Sequence, residues 1–154
     1  MSGPRHVLFD AGGLALAVPA DAVQAIHDEL SPQRVEGTCS WFLGLAVADG
    51  RLLPVTDLAA WLGRRAAGGR TLQLHPDVGI AGLRVDTVYG LSEAGADAAA
   101  HESTGEHDAV PGTPDEGAVL SALTIVEEER QHRVVDLGAL LQSPRFLDIS
   151  ATDA

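Results

Sequence analysis

A single cysteine, Cys39, in 154 residues rules out a disulfide within the chain and any zinc site built on several thiolates. Cys39 therefore reads as a packing thiol. Aromatic residues make up only 4%, so a core has to be assembled from Leu, Val, Ala and Ile. Basic residues are scarce as well: 10 stand against 22 acidic ones, for a formal charge of −12. A phosphate backbone is normally met by clustered Lys and Arg, so a nucleic-acid partner is not expected. No apolar run approaches the roughly 20 residues that cross a bilayer, so direct membrane insertion is not expected. The opening MSGPRHVLFD lacks a basic segment followed by an apolar core, and the expected location is the cytoplasm. Neither GxSxG nor HExxH occurs, and no glycine-rich phosphate loop precedes a helix. Catalysis and a cofactor are accordingly not expected.

What the chain does have is enough length and apolar content, 45%, for one domain or two small subdomains. Its organising stretch is Gly44–Gly63, GLAVADGRLLPVTDLAAWLG. Large Leu43, Leu45 and Val47 alternate with small Gly44, Ala46 and Ala48, the period of a strand with one packed face. Asp49-Gly50 tolerates the positive φ of a tight turn, so Arg51–Val55 returns antiparallel. Asp57 then caps a short helix whose Leu58, Trp61 and Leu62 share one face, and Gly63 ends it. Trp61 is expected in the core. Trp41 and Phe42 are adjacent at the strand entry, so alternation lets only one of them face a given core.

The same design returns near the C-terminus. Val47 to Asp57 and Val126 to Asp136 both span ten residues, and Leu137, Leu140 and Leu141 repeat the spacing of the first helix. Asp21-Ala-Val23-Gln-Ala-Ile26 likewise matches Asp86-Thr-Val88-Tyr-Gly-Leu91, so the order A, B, A′, B′ indicates an internal duplication. Leu58, Trp61, Leu137 and Leu141 are the expected core positions of the two helices.

Elsewhere, Val7–Phe9 and Leu14–Val18 flank Asp10-Ala11-Gly12-Gly13 as a first hairpin. Val23, Ile26 and Leu30 fit a strand or one helical turn equally well. Ser31–Ser40 reads as a connection, Arg70 onward as strands, and His75-Pro76-Asp77 as a turn. Ser92–Gly117 has no apolar period and reads as a solvated acidic insertion, dispensable for folding; Glu127-Glu128-Glu129 reads as an exposed hairpin tip. The insertion holds the one cluster with ligand chemistry, His101, Glu102, Glu106 and His107, on which a rival reading as a small metal-dependent hydrolase rests. A solvated loop offers such ligands no fixed geometry, so no metal is expected there. Short strands, glycine-bearing turns and brief helices indicate an all-β fold with short helices, two similar barrels packed together.

These marks, in this order, resemble the CheW-like domain, the adaptor module of bacterial chemosensory arrays. They are the first hairpin with Gly13, Asp21–Ile26, Trp41-Phe42-Leu43-Gly44 leading through Gly50 to Pro54-Val55-x-Asp57-Leu58, Val85-Asp86-x-Val88-x-Gly90, and Val135-Asp136-Leu137. The resemblance implies two packed five-stranded SH3-like barrels within residues 1–144, the insertion 92–117, and a C-terminal tail 145–154. It further implies a non-enzymatic adaptor that bridges the cytoplasmic tip of a methyl-accepting chemoreceptor and the regulatory domain of a CheA-type histidine kinase. Val23, Gly44 and Asp49 are the partner-binding positions it implies. The family's Asn-Leu-Arg-Gly turn is here Val47-Ala48-Asp49-Gly50, so aspartate stands where the family carries arginine. The position after Val23-Gln24, often acidic in the family, is Ala25. Ser143-Pro144-Arg145-Phe146-Leu147 is similar to adaptors of the type IV pilus chemosensory branch.

Overall fold

The computed structural model describes residues 5–65, 69–93, 97–98, 119–127 and 130–150. The His101, Glu102, Glu106 and His107 cluster and Glu128-Glu129 lie outside the described residues, as does most of the insertion. The elements are β1 His6–Ala11, β2 Leu14–Pro19, a 3-10 turn at Ala20–Ala22, β3 Val23–His27, β4 Phe42–Ala48, β5 Arg51–Asp57 and helix α1 Leu58–Trp61. They continue as β6 Arg70–Leu74, β7 Gly82–Val85, β8 Thr87–Ser92, β9 Asp97–Ala98, β10 Leu120–Glu127, β11 Arg130–Val135, α2 Leu137–Gln142 and α3 Pro144–Leu147. The undecided segment after Val23 is thus a strand.

Two open sheets result, in the orders β8-β1-β2-β11-β10-β9 and β3-β6-β7-β5-β4. Leaving β9 aside, both obey one rule: a single strand, a hairpin, then a parallel contact to a second hairpin. The parallel contacts are β2 with β11 and β5 with β7. Each sheet therefore takes one hairpin from either half of the chain, and neither half completes a sheet alone. This is the duplication in three dimensions, with its parts exchanged. The fold is the expected all-β one with short helices, in two sheets that are roughly SH3-like; in detail both are open rather than closed, and one gains a sixth strand.

The extra strand comes from within the expected insertion. Asp97–Ala98 pairs with Leu123 and Thr124, and Ser92 is the buried last residue of β8. A strand of two residues is too brief to register as a strand period in sequence.

Both helices start as expected. The Asp57 carboxylate accepts from the Ala60 amide at 3.1 Å and Asp136 from Ala139 at 3.0 Å, satisfying amides that lack a helical partner. Leu58, Trp61 and Leu62 are fully buried between the sheets. In α2 the corresponding face is rotated: Leu140 is fully buried and Leu141 only partly, which corrects the placing of Leu141 in the core. The last turn of α2 faces the open side of the core rather than its middle.

Trp41 and Phe42 are both buried, contrary to the alternation argument. Trp41 lies in the turn ahead of β4, where strand alternation does not apply, and the C-terminal segment covers it. Phe146 stacks on Trp41 at 6.3 Å between ring centroids and meets Trp61 edge-on at 6.0 Å. The Cys39 amide donates to the Ile149 carbonyl at 2.7 Å, tying the same segment down. Residues 144–150 are thus docked on the core rather than trailing from it.

The hairpin β4–β5 keeps its period, and the face that β4 buries is the one with its small residues. The small residues Ala46 and Ala48 point inward with Leu53 and Val55, whereas Val47 and Leu52 face each other across the ladder on the outside. Ala46 and Ala48 pack there beside the larger Leu53 and Val55 of the partner strand. From the burial difference in α2, Leu140→Ala should cost about 2–5 kcal/mol and Leu141→Ala clearly less, as urea denaturation at equilibrium would measure.

Candidate functional site

The turn joining β4 and β5 has φ 55° at Asp49 and φ 74° at Gly50, two consecutive left-handed residues, as a type I′ hairpin requires. Asp tolerates that region better than most residues, so Asp49 has a conformational as well as an electrostatic role. It is exposed, and it borders a hollow of about 330 Å³ that reaches Gln24 on β3 and Leu52, Pro76 and Ile80 on the other side. The structure therefore brings the hairpin tip next to β3. Val23, at the start of β3, sits opposite Leu74 and is half-buried against the core, while its neighbour Gln24 lines the hollow.

Gly44 is placed differently. It is buried at a bulge in β4 with φ 127°, and an added Cβ would lie 2.0 Å from the Gln33 carbonyl oxygen. Its lack of a side chain lets Gln33 bridge to Leu45 through hydrogen bonds of 2.8 and 3.0 Å, which holds residues 33–34 against β4. Gly44 thus shapes the hairpin from behind, and Asp49 and Gln24 are the exposed groups.

The equivalent mouth on the other sheet is closed. Four residues after Val47 stands Arg51, and four after Val126 stands Arg130; Gln24 and Tyr89 are likewise matched in the repeat. Tyr89 donates its hydroxyl to Asp10 at 2.5 Å, and Arg130 donates to the Tyr89 oxygen at 3.0 Å and to Asp10 at 3.1 Å. The guanidinium lies 5.1 Å from the Tyr89 ring centroid, and the His132 ring meets that ring at 6.0 Å. Tyr89 and Asp10 hold the Arg130 proton more firmly than usual. Arg51 makes no such clamp among the described residues. A lone tyrosine matched to a glutamine was the sequence signal for this asymmetry, but only the fold sets Tyr89 beside Asp10.

Between the sheets, Asp86 leads from β7 to β8 and accepts from the Gly12 amide at 2.9 Å, linking one sheet to the first hairpin of the other. Asp57 is buried nearby, and loss of water pushes its carboxyl above the ordinary range, with the Asp86 charge adding to this and the Ala60 amide and Arg84 opposing it. Among the described residues no three His, Cys, Asp or Glu side chains could hold a metal ion. None of their helices is long and apolar enough to cross a membrane.

Two interleaved, roughly SH3-like sheets with one clamped and one open mouth define a two-lobed β module. The CheW-like domain family matches residues 5–145, so this chain belongs to that family. Protein PilI of Pseudomonas aeruginosa is 29% identical over 148 residues, covering 92% of this chain and 78% of that protein. The crystal structure of the scaffolding protein TtCheW from Thermoanaerobacter tengcongensis aligns with a TM-score of 0.69 and 16% identity, covering 94% of this chain and 96% of that one. That likeness is one of fold.

Two outcomes follow. Gly44→Ala should destabilise the fold by more than about 1 kcal/mol, since it adds positive-φ strain to a backbone clash; an unchanged denaturation midpoint would refute the bulge role. Asp57→Asn keeps a capping oxygen and removes the buried charge. Because the folded pKa of Asp57 is raised, its contribution to stability is fully present below the unfolded value, near 3.9, and is lost as pH rises through the folded value. Asp57→Asn should therefore gain on the wild type at neutral pH, and the gain should shrink on acidification, as paired melts at a series of pH values would show.

Proposed function

We propose that this chain is a non-enzymatic, cytoplasmic adaptor of a chemosensory pathway. It couples the cytoplasmic tip of a methyl-accepting chemoreceptor to the regulatory domain of a CheA-type histidine kinase by protein binding alone. Membership of the CheW-like family and the likeness to a protein described as a scaffold support the general role. The similarity to PilI supports assignment to the type IV pilus branch. The observation that carries the reading is the open mouth at Asp49, an exposed hairpin tip facing Gln24 of β3 across a hollow.

Val23, Gly44 and Asp49 then divide their work: Asp49 meets the receptor, Val23 fixes the β3 wall, and Gly44 sets the hairpin in place. With aspartate in the family's arginine position, the receptor surface opposite it carries Lys or Arg, because like charges across an interface cost several kcal/mol.

Binding of the purified chain to a chemoreceptor-tip fragment and a CheA-type kinase regulatory domain from the same organism tests this by titration calorimetry. Asp49→Asn keeps a residue that tolerates the left-handed turn and removes only the charge. It should weaken receptor binding about 3–10-fold, the loss of one exposed ion pair, and leave kinase binding unchanged. Asp49→Arg should weaken it further, with a small loss of Tm from turn strain. If the unmodified chain binds neither partner, the adaptor reading fails.

A further inference from the structure

We propose that the C-terminal segment, residues 144–150, is a strap that opens and closes over Trp41 while the two sheets stay intact, and that Arg34 couples its closure to the β4–β5 hairpin. The proposal is independent of the adaptor reading.

The segment is built to move as a unit. Ser143 is extended, with φ −69° and ψ 126°, between α2 and α3, and Pro144 follows it, so the chain hinges there instead of continuing α2. The turn of α3 closes on itself: the Phe146 and Leu147 amides donate to the Ser143 carbonyl at 3.0 Å, and the Asp148 amide to the Pro144 carbonyl at 2.9 Å. Among the segment's described side chains only Phe146 is buried, and Leu147 is 63% exposed. Phe146 and Leu147 border two hollows of about 270 and 380 Å³, so open space adjoins the docked segment. Residues 144–150 contribute no strand to either sheet, and Ser150 meets Thr38 in an isolated bridge. Little buried area and no strand ladder put a segment at the low-stability end of a fold.

What the strap closes on is itself fastened to β4. Cys39 meets the strap twice, its amide donating to the Ile149 carbonyl at 2.7 Å and its thiol to the Ser150 carbonyl at 3.3 Å, beside the stack of Phe146 on Trp41. The Arg34 guanidinium gathers the same turn from the other end. It donates to the carbonyls of Phe42, of Cys39 at 2.8 Å and of Thr38 at 3.3 Å. Gln33, the residue before it, exchanges two hydrogen bonds with Leu45 of β4. Residues 38–42 are therefore gripped by the strap on one side and by β4, through Arg34, on the other. Opening the strap removes one grip, so the hairpin that carries Asp49 is held tightly with the strap closed and loosely with it open.

Amide hydrogen exchange of the full chain, followed by NMR in low denaturant, tests both parts. Relative to their intrinsic rates, the Cys39, Leu147 and Asp148 amides should exchange about a hundredfold or more faster than those of Leu62 and Asp86, and with little dependence on denaturant. Arg34→Met keeps the side-chain stem and removes the donors. It should speed exchange at Leu147 and Asp148, whose amides bond to Ser143 and Pro144, by about fivefold or more. Coupling is reciprocal, so Phe146→Leu should speed exchange at Leu45, whose amide bonds to Gln33, by about the same factor. Should Arg34→Met not fold, Arg34→Lys is read in the same way, because an ammonium lacks the planar fork that reaches three carbonyls. Strap amides that exchange only at the core rate would mean that the segment opens only with the whole fold, and would overturn the proposal. So would unaltered exchange at Leu147 and Asp148 in the Arg34 variant, or at Leu45 in Phe146→Leu, either of which would leave a fraying end with no link to the hairpin.

Discussion

The structure depends on two parallel strand contacts, β2 with β11 and β5 with β7. Each joins a hairpin from one half of the chain to a hairpin from the other, and without it both sheets would end at an unpaired edge. Parallel pairing requires a long crossover, and here residues 58–81 separate β5 from β7 and residues 20–129 separate β2 from β11. The two lobes therefore cannot fold or open as independent units. Their common interior is filled by Leu58 and Trp61 of α1, by Leu62 that caps it, and by Leu137 and Leu140 of α2, and is closed by Phe146 against both tryptophans.

That interlocking explains how a chain with so few aromatics maintains a rigid surface. Trp61, Trp41 and Phe146 are concentrated at one contact, where large rings bury the most area per residue. The remaining interior is Leu, Val and Ala. Among the described residues Asp57 is the one buried carboxylate; it caps α1 at the seam between the sheets, where the half-buried Asp86 receives the Gly12 amide. A carboxylate at that seam is a modest penalty for fixing the helix start and the crossing strand together.

Repetition with divergence supplies the functional asymmetry. Arg130, Tyr89 and Asp10 clamp one mouth, whereas the matched Arg51 and Gln24 leave the other open beside Asp49. Both hairpins also leave large apolar side chains in water, Leu123 and Val126 on β10 and Val47 and Leu52 on β4–β5, so the two lobes differ at their mouths rather than in overall polarity.

By itself the sequence determined the local devices: the Asp49-Gly50 turn, the caps at Asp57 and Asp136, the buried stripe of α1, and the ten-residue spacing that reveals the repeat. These rest on φ preferences and on neighbours three or four residues away, which a linear string contains. Strand exchange between the halves was decided only by tertiary structure, because pairing partners such as Val55 and Gly82 are distant in the chain. So was the choice of buried face in β4, since a period of two says that one face is buried but not which, and here it is the face of Ala46 and Ala48. The docking of Phe146 on Trp41, which made room for both Trp41 and Phe42 inside, was settled the same way: a short polar stretch with one aromatic reads as a tail until a core is there to receive it.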